Sequence, residues 1–532
     1  MKQLLRKIFS PTLVIVLILL LEIAFIFAIE YFIDGAYEIG GPLGQFLENN
    51  SWLIDLTWVH VRLGTYVFAI ITFFKILNRK NMAPEFKIPW LVLIFLLPFT
   101  ALTFYWIFSH PYLSRRDKKI LEASEKSFKE IFEPNEEDRK VFANIDTNYQ
   151  SSLQFLRNVT DLKCSSGNRL KYYKSGEFFF PDLVENLKEA KEFIFIEFFI
   201  ITEGKWWNQV LEVLKQKAQE GVEVRIVYDD LGCFGTLPSF LPMKLAKYGI
   251  KAKKFHPFRP ILTSVMNNRD HRKIVVIDHK YAFTGGNNLA DEYANEIRRF
   301  GYWKDTMVRI EGPAINNLIA IFLQNYDFTT FVPSDYGRYL NHKYETYDDE
   351  KGYVFAFGDR PGAYDKVNIG EQNYINIINS ATKTLFISTP YLVPTNILME
   401  ALKNAALRGV QVNLIIPGTP DKKIVYWMAK CQFHSLLEAG VNIYTYIPGF
   451  NHEKQMLADD RIAFCGTINF DYRSLVHHFE CGVTMVDVPI LKEMREDFED
   501  MITHSKAVAP DFKMTRFQRF LCSILKLFAT MF

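Results

Sequence analysis

The stretch NRDHRKIVVIDHKYAFTGGNN, Asn268 to Asn288, decides how this chain reads. It places His271, Lys273 and Asp278 around an apolar run, then passes through a second apolar run to a turn with Gly285, Gly286 and Asn288. Alone, the spacing H-x-K-x4-D is a weak signal, since such side chains on a half-buried strand are usually solvated surface. The same order returns in NHEKQMLADDRIAFCGTINFD, Asn451 to Asp471, as His452, Lys454 and Asp459, followed by Gly466, Thr467 and Asn469. In both copies the final asparagine follows the aspartate by ten residues, 278 to 288 and 459 to 469. A duplicated motif with matching tails is not chance surface; each copy is half of one site.

The flanking segments repeat too. KEFIFIEFFI, from Lys191, reads as a buried strand; WWNQVLEVLKQKAQEG has helical spacing, stops at Gly221 and leads into the strand VEVRIVYDD. A helical SFLPMKLAKYG and the strand IKAKKF follow. TKTLFISTPY, NILMEALKNAALRG, VQVNLIIPG, IVYWMAKCQFHSLLEAG and VNIYTYI repeat that alternation, with stops at Gly409 and Gly440. The expected fold is α/β: two fused, pseudo-symmetric modules at residues 166–345 and 346–510, facing each other across one cleft. A linker with a charged helical stretch, 111–165, precedes them. An amphipathic helix, 511–532, follows them, suited to an interface, to anionic lipid, or to capping the core.

On a strand, residues i and i+2 share a face, so His271 with Lys273, and His452 with Lys454, can project into one cleft. The glycines let the backbone close in, and Asn288 and Asn469 offer amide donors without added charge. Two imidazoles, two ammonium groups and two amides suit a phosphodiester. Positive charge grips the non-bridging oxygens, one imidazole attacks phosphorus, and the other protonates the leaving alkoxide. Asp278 and Asp459 complete the catalytic motifs, but a regular strand turns them away from the lysines, so a supporting role is expected. Glu197, late in an apolar strand, is expected to meet a partner inside the cleft. The matching strand ends in Thr389, Pro390 and Tyr391, so the halves differ chemically. No carboxylate cluster of the Mg²⁺ type accompanies the motifs, and neither a metal nor a cofactor is expected.

Composition narrows the class. Of 532 residues, 49% are apolar and 15% aromatic, which excludes a disordered chain. A net charge of +2 and the lack of interleaved basic and aromatic stretches argue against nucleic acid as partner. The six cysteines are scattered, and free buried thiols are expected. The amino-terminal region differs from the rest. Apolar runs at Pro11–Ile33, Thr65–Leu77 and Ile88–Phe108 read as a transmembrane or membrane-associated helical region over residues 1–110. The positive-inside rule wants the head, the second connection and the large domain all on the cytoplasmic side. Two crossings followed by a segment broken at Pro98 would satisfy it. That reading gives an integral, multi-pass membrane protein, which the resemblance given below would place in the bacterial plasma membrane.

The paired motifs, with FIFIEFFI, YWKDTMVRIEGPA, STPYLVPT, GTINFDYRS and PWLVLIFLLPFTALTFYWIF, resemble the phospholipase D superfamily and, within it, the bacterial cardiolipin synthases. The resemblance runs over nearly the whole chain. It implies a phosphatidyltransferase acting on phosphatidylglycerol and other anionic membrane phospholipids, with His271 as nucleophile and His452 as general acid and base. Lys273, Lys454, Asn288 and Asn469 would then hold the phosphate, and Glu197 would orient a catalytic histidine. It leaves the acceptor alcohol open between phosphatidylglycerol, another alcohol and water. The oligomeric state, a dimer included, is open as well.

Overall fold

The computed structural model of the chain describes residues 49–527 except 80–81, 109–114, 134–135, 258–266, 345, 348 and 363–366, together with residues 20, 24, 45–46 and 529–531. The described residues fall into two compact units that part between Pro111 and Tyr112, the larger one running to Cys522.

The larger unit is built on two mixed sheets with one topology. The first has seven strands in the spatial order Arg169–Tyr173, Met307–Glu311, Tyr281–Gly285, Lys273–Ile277, Phe193–Phe198, Glu223–Asp229 and Lys251–Phe255. The second repeats it as Tyr353–Asp359, Glu480–Val486, Ile462–Gly466, Gln455–Ala458, Thr384–Ser388, Gln411–Pro417 and Asn442–Tyr446, and adds Ser505–Ala507 at the edge. In each sheet the strand after the motif lysine lies antiparallel between its hairpin partner and the first parallel strand. Helices such as Lys205–Gln219 and Asn396–Leu407 connect the parallel strands. Both end before a glycine in the left-handed region, Gly221 at φ 92° and Gly409 at φ 91°, where other residues are strained.

The central strands are buried on both faces, so they read as continuous apolar runs. Phe193, Phe195, Ile274 and Val276 face a core shared with the second sheet, whereas Ile194, Ile196, Val275 and Ile277 face an outer core under the helices. The nearly wholly buried helix Ile315–Thr330 packs on strands of both modules. The motif strands therefore stand where the two modules share one interior.

The amino-terminal region corrects the membrane reading. The run from Ile88 to Phe108 breaks at Leu97 into helices Pro84–Leu96 and Pro98–Phe108, of 13 and 11 residues. At 1.5 Å per residue these reach about 20 and about 16 Å, short of a hydrocarbon core of about 30 Å. The run from Thr65 to Leu77 lies in the helix Ser51–Leu77, whose apolar stretch is interrupted by Asp55, His60, Arg62 and Lys75. Among the described residues, no helix is long and apolar enough to cross a membrane. For the described residues, the transmembrane region, the integral-membrane assignment and the multi-pass plasma-membrane location are overturned on that ground. The apolar side chains have another use: Ala69, Ile76, Ile94, Ala101, Leu102 and Tyr105 form a small helical core of their own. The run at Pro11–Ile33 lies outside the described residues save Leu20 and Ala24.

The cysteine reading also needs correction. Cys164, Cys233, Cys465 and Cys481 are free and buried, but Cys431 and Cys522 form a disulfide. It ties the helix Lys423–Glu438 to the carboxy-terminal helix Arg516–Leu527, residues too distant in sequence for spacing to pair them.

Candidate active site

Each motif histidine sits just before its strand, and its backbone is fixed by the other module. His271 N–H donates to the Phe479 carbonyl at 2.8 Å, and His452 N–H to the Lys304 carbonyl at 2.7 Å. The next residue in each case is an acid, Glu480 or Asp305. Glu480 lies with both carboxylate oxygens 2.9–3.0 Å from Nδ1 of His271. Asp305 Oδ2 lies 2.6 Å from Nδ1 of His452. A carboxylate only accepts, so each Nδ1 directs its hydrogen at the acid and each Nε2 keeps its lone pair, with Lys454 Nζ also 2.7 Å from Nδ1 of His452. The two halves thus exchange orienting acids, module for module.

The lysines complete the centre. Lys273 Nζ donates to the His271 carbonyl and Lys454 Nζ to that of His452. Both lysines are fully buried. Burial pushes Lys273 down to about 7 and Lys454 down to about 8, with each opposed by nearby acids. Burial also holds both imidazoles well below the ordinary histidine range, assisted at His271 by Lys273, Lys454 and His452, and at His452 by Lys454, Lys273 and Lys422. The charges of both motifs therefore act on one another across the module boundary. The rings are wedged by aromatics: Phe199 beside His271, and Tyr293, Trp303 and Phe450 beside His452.

The other expected residues separate into distinct places. Asp278 and Asp459 stand at the far ends of the motif strands and take no part in the centre. Asp278 accepts from the backbone N–H of Lys191, Glu192 and Phe193, and Asp459 from those of Thr382, Lys383 and Thr384. Both lie in the left-handed region at φ 52°. Asn288 does not offer its amide to a ligand: its Oδ1 accepts from Ile200 N–H and its Nδ2 donates to the Tyr293 hydroxyl. It props the tyrosine that packs on His452. Asn469 is buried with its Oδ1 unpartnered. Glu197 orients no histidine. It accepts from Asn325, which also donates to Asp270, and lies 4.0 Å from Arg272. Burial, then the charge of Asp270, pushes it well above the usual carboxylate range.

The residues missed from sequence are Asp305 and Glu480. Both are fully buried and both follow the turn after their motif, in YWKD and HHFE. An acid follows the turn in each copy, but 19 residues after Gly286 and 13 after Thr467, so the repeat alone does not pair them. The turn asymmetry bears on them directly. Gly286 leaves room for Asp305, while Thr467 at the matching place donates its hydroxyl to Glu480. One group could hold a metal ion among the described residues, and it combines His271 and Glu480 with His478.

The comparisons with known proteins agree with this architecture. The profile of the family described as "Cardiolipin synthase, PLD-like domain" matches residues 183–324 and 374–502, one match in each module. An uncharacterized protein of Streptococcus mutans is 40% identical over 79% of this chain and 90% of its own length. Cardiolipin synthases of Staphylococcus aureus and Alkalihalophilus pseudofirmus are each 31% identical, over 82% and 86% of this chain and 89% and 90% of theirs. The crystal structure of a phosphatidylserine synthase from Haemophilus influenzae aligns over 72% of this chain and 98% of that one, with a TM-score of 0.54 and 14% identity, a likeness of fold. The chain is an enzyme of the phospholipase D superfamily, built for phosphoryl-group transfer or hydrolysis, and it belongs to the family of cardiolipin synthases with phospholipase D-like domains.

Proposed function

We propose that the protein transfers a phosphatidyl group from one phosphatidylglycerol to a second, releasing glycerol and forming cardiolipin. The observation that carries this reading is the pair of imidazoles, each held through Nδ1 by an acid of the opposite module. Nε2 of His271 attacks the donor phosphorus as His452 protonates the departing glycerol oxygen, leaving phosphatidyl-histidine. His452 then takes the proton of the acceptor hydroxyl, whose oxygen displaces His271 from phosphorus. Lys273 and Lys454 counter the charge that builds on the non-bridging oxygens. The substrate anion also restores the ammonium forms that burial disfavours, and it raises the basicity of His452 for its role as acid. The identity between this chain and proteins named as cardiolipin synthases supports the choice of lipid.

The test is mass spectrometry of products from vesicles of defined lipids. Phosphatidylglycerol alone should give cardiolipin and equimolar glycerol. Phosphatidic acid as the main product would replace the reading with hydrolysis, and product only with another added alcohol would replace the acceptor. Cleaved nucleic acid with intact lipid would replace the substrate class.

A further inference from the structure

The two imidazoles are held alike but neighboured differently. The residue two places before each orienting acid packs beside the opposite module's histidine. On one side it is Trp303, whose ring lies 5.4 Å from that of His452. On the other it is His478, whose ring lies 5.5 Å from that of His271. An indole offers no lone pair in the ring plane, whereas an imidazole does. His478 leaves 10% of its side-chain surface exposed, and both its ring nitrogens are buried without a hydrogen-bond partner. A buried polar group in that state is unusual enough to ask what it receives. Its Nδ1 stands 3.6 Å from Glu480 Oε1, on the carboxylate that holds His271. One donor atom from each of His271, His478 and Glu480 lies within 4.8 Å of the others, and no other such group occurs among the described residues.

We propose that His271, His478 and Glu480 bind one exchangeable transition-metal ion of the zinc class, and that occupation of this site silences the enzyme. Two imidazoles and a carboxylate form a donor set suited to Zn²⁺, while Mg²⁺ and Ca²⁺ require oxygen ligands. The donors are too far apart for simultaneous bonds of about 2.0–2.2 Å, so binding draws them together by side-chain rotation. The His271 proton moves from Nδ1 to Nε2 by exchange with solvent, so the ring stays neutral while the Nδ1 lone pair and the Glu480 oxygen pass to the metal. No transfer step uses the ion. It removes the acid that orients His271 and withdraws electrons from the attacking ring. The pseudo-symmetric His452 side cannot do the same, because Trp303 fills the place of the third ligand. Silencing rests on the proposed role of His271; metal binding does not.

The experiment uses the purified full chain, stripped of metal, and equilibrium dialysis against Zn²⁺. One zinc per chain is expected in the wild type, with lipid product suppressed as the site fills. His478→Asn should weaken binding at least tenfold and shift the inhibition curve equally, each variant being compared with its own metal-free activity. His342→Asn serves as the control, since it breaks the stacked His279–His342 pair, at 4.0 Å, without touching the proposed ligands. It should bind zinc as the wild type does. Cobalt titration of the wild type needs no variant: visible d–d bands, displaced by zinc and unaffected by magnesium, are expected. A His478→Asn protein with undiminished zinc binding would overturn the proposal, as would a wild type that takes up neither metal. A chain that binds zinc but makes no lipid product would refute the proposed function while leaving the site standing.

Discussion

A Cβ added at Gly286 would lie 1.9 Å from Oδ1 of Asp305, the carboxylate that holds His452. Gly286→Ala must therefore push Asp305 aside, at a stability cost of about 1–3 kcal/mol for overpacking. Because displacement by about 1 Å can cost about 100-fold in rate, turnover should fall by that order in a folded protein. A Gly286→Ala enzyme with full turnover would show that Asp305 does not position His452. The lysines give a second test at this scale. Burial lowers Lys273 to about 7 and Lys454 to about 8, so their charged forms are lost as pH rises through those values. On the proposed role, in which the charged forms hold the diester, kcat/KM should decline on that alkaline limb, whereas a profile flat into the ordinary lysine range would contradict it. His271, Lys273, His452 and Lys454 were legible because the motif is duplicated at one spacing, although each histidine stands just before its strand and not on it. Asp305 and Glu480 were not, because the spacing from turn to acid differs between the modules and the repeat loses register there. Asn288 misled because an amide in a glycine turn looks available until its partners, Ile200 and Tyr293, are known.

At the scale of elements, the motif aspartates are clamps on strand entry. Asp459 binds the start of Thr384–Ser388 through three backbone N–H groups, and its own N–H donates to the Thr384 carbonyl at 2.9 Å. Asp278 does the same for Phe193–Phe198, with its N–H on the Phe193 carbonyl, also at 2.9 Å. A regular strand predicts that these carboxylates leave the cleft face, which is legible; the strand they would clamp is not, because the contact spans distant sequence. Asp459→Asn should cost about 1.5–3 kcal/mol at neutral pH, the scale of charged hydrogen bonds. Partial burial raises its carboxyl, but Thr382 and the backbone donors outweigh it and leave the folded value below normal. The sign follows: the contribution is complete above the unfolded value of about 3.9 and disappears as pH falls through the folded one. Thermal unfolding should show a Tm gap between wild type and Asp459→Asn that closes in acid. A gap independent of pH would assign the loss to packing. The amino-terminal helices teach the opposite lesson about elements: apolar content alone could not distinguish a bilayer span from two short helices and a longer, charge-interrupted one burying Ile76, Ile94 and Leu102 on one another.

At the scale of the larger unit, duplication was legible from the paired motifs and matching glycine stops, and both sheets follow the same strand order. Exchange of acids was not legible, since it depends on how the two modules meet. It makes each histidine answer to the other half of the chain. Glu480→Gln, in the second module, should slow attack by His271 in the first, while Asp305→Asn should impair proton transfer by His452, by about 100- to 10,000-fold. Rapid-quench kinetics that separate formation from decay of the intermediate would check the division; equal effects of both variants on formation alone would refute it. The central claim is covalent transfer through His271 with His452 as acid and base. The most direct measurement uses a ³²P-labelled phosphatidyl ester whose leaving group departs without protonation, followed by denaturation and counting of label on protein. His452→Ala should retain acid-labile, base-stable label while His271→Ala retains none. Label on His271→Ala but not on His452→Ala, or steady product from the wild type with label on neither variant, would contradict the account.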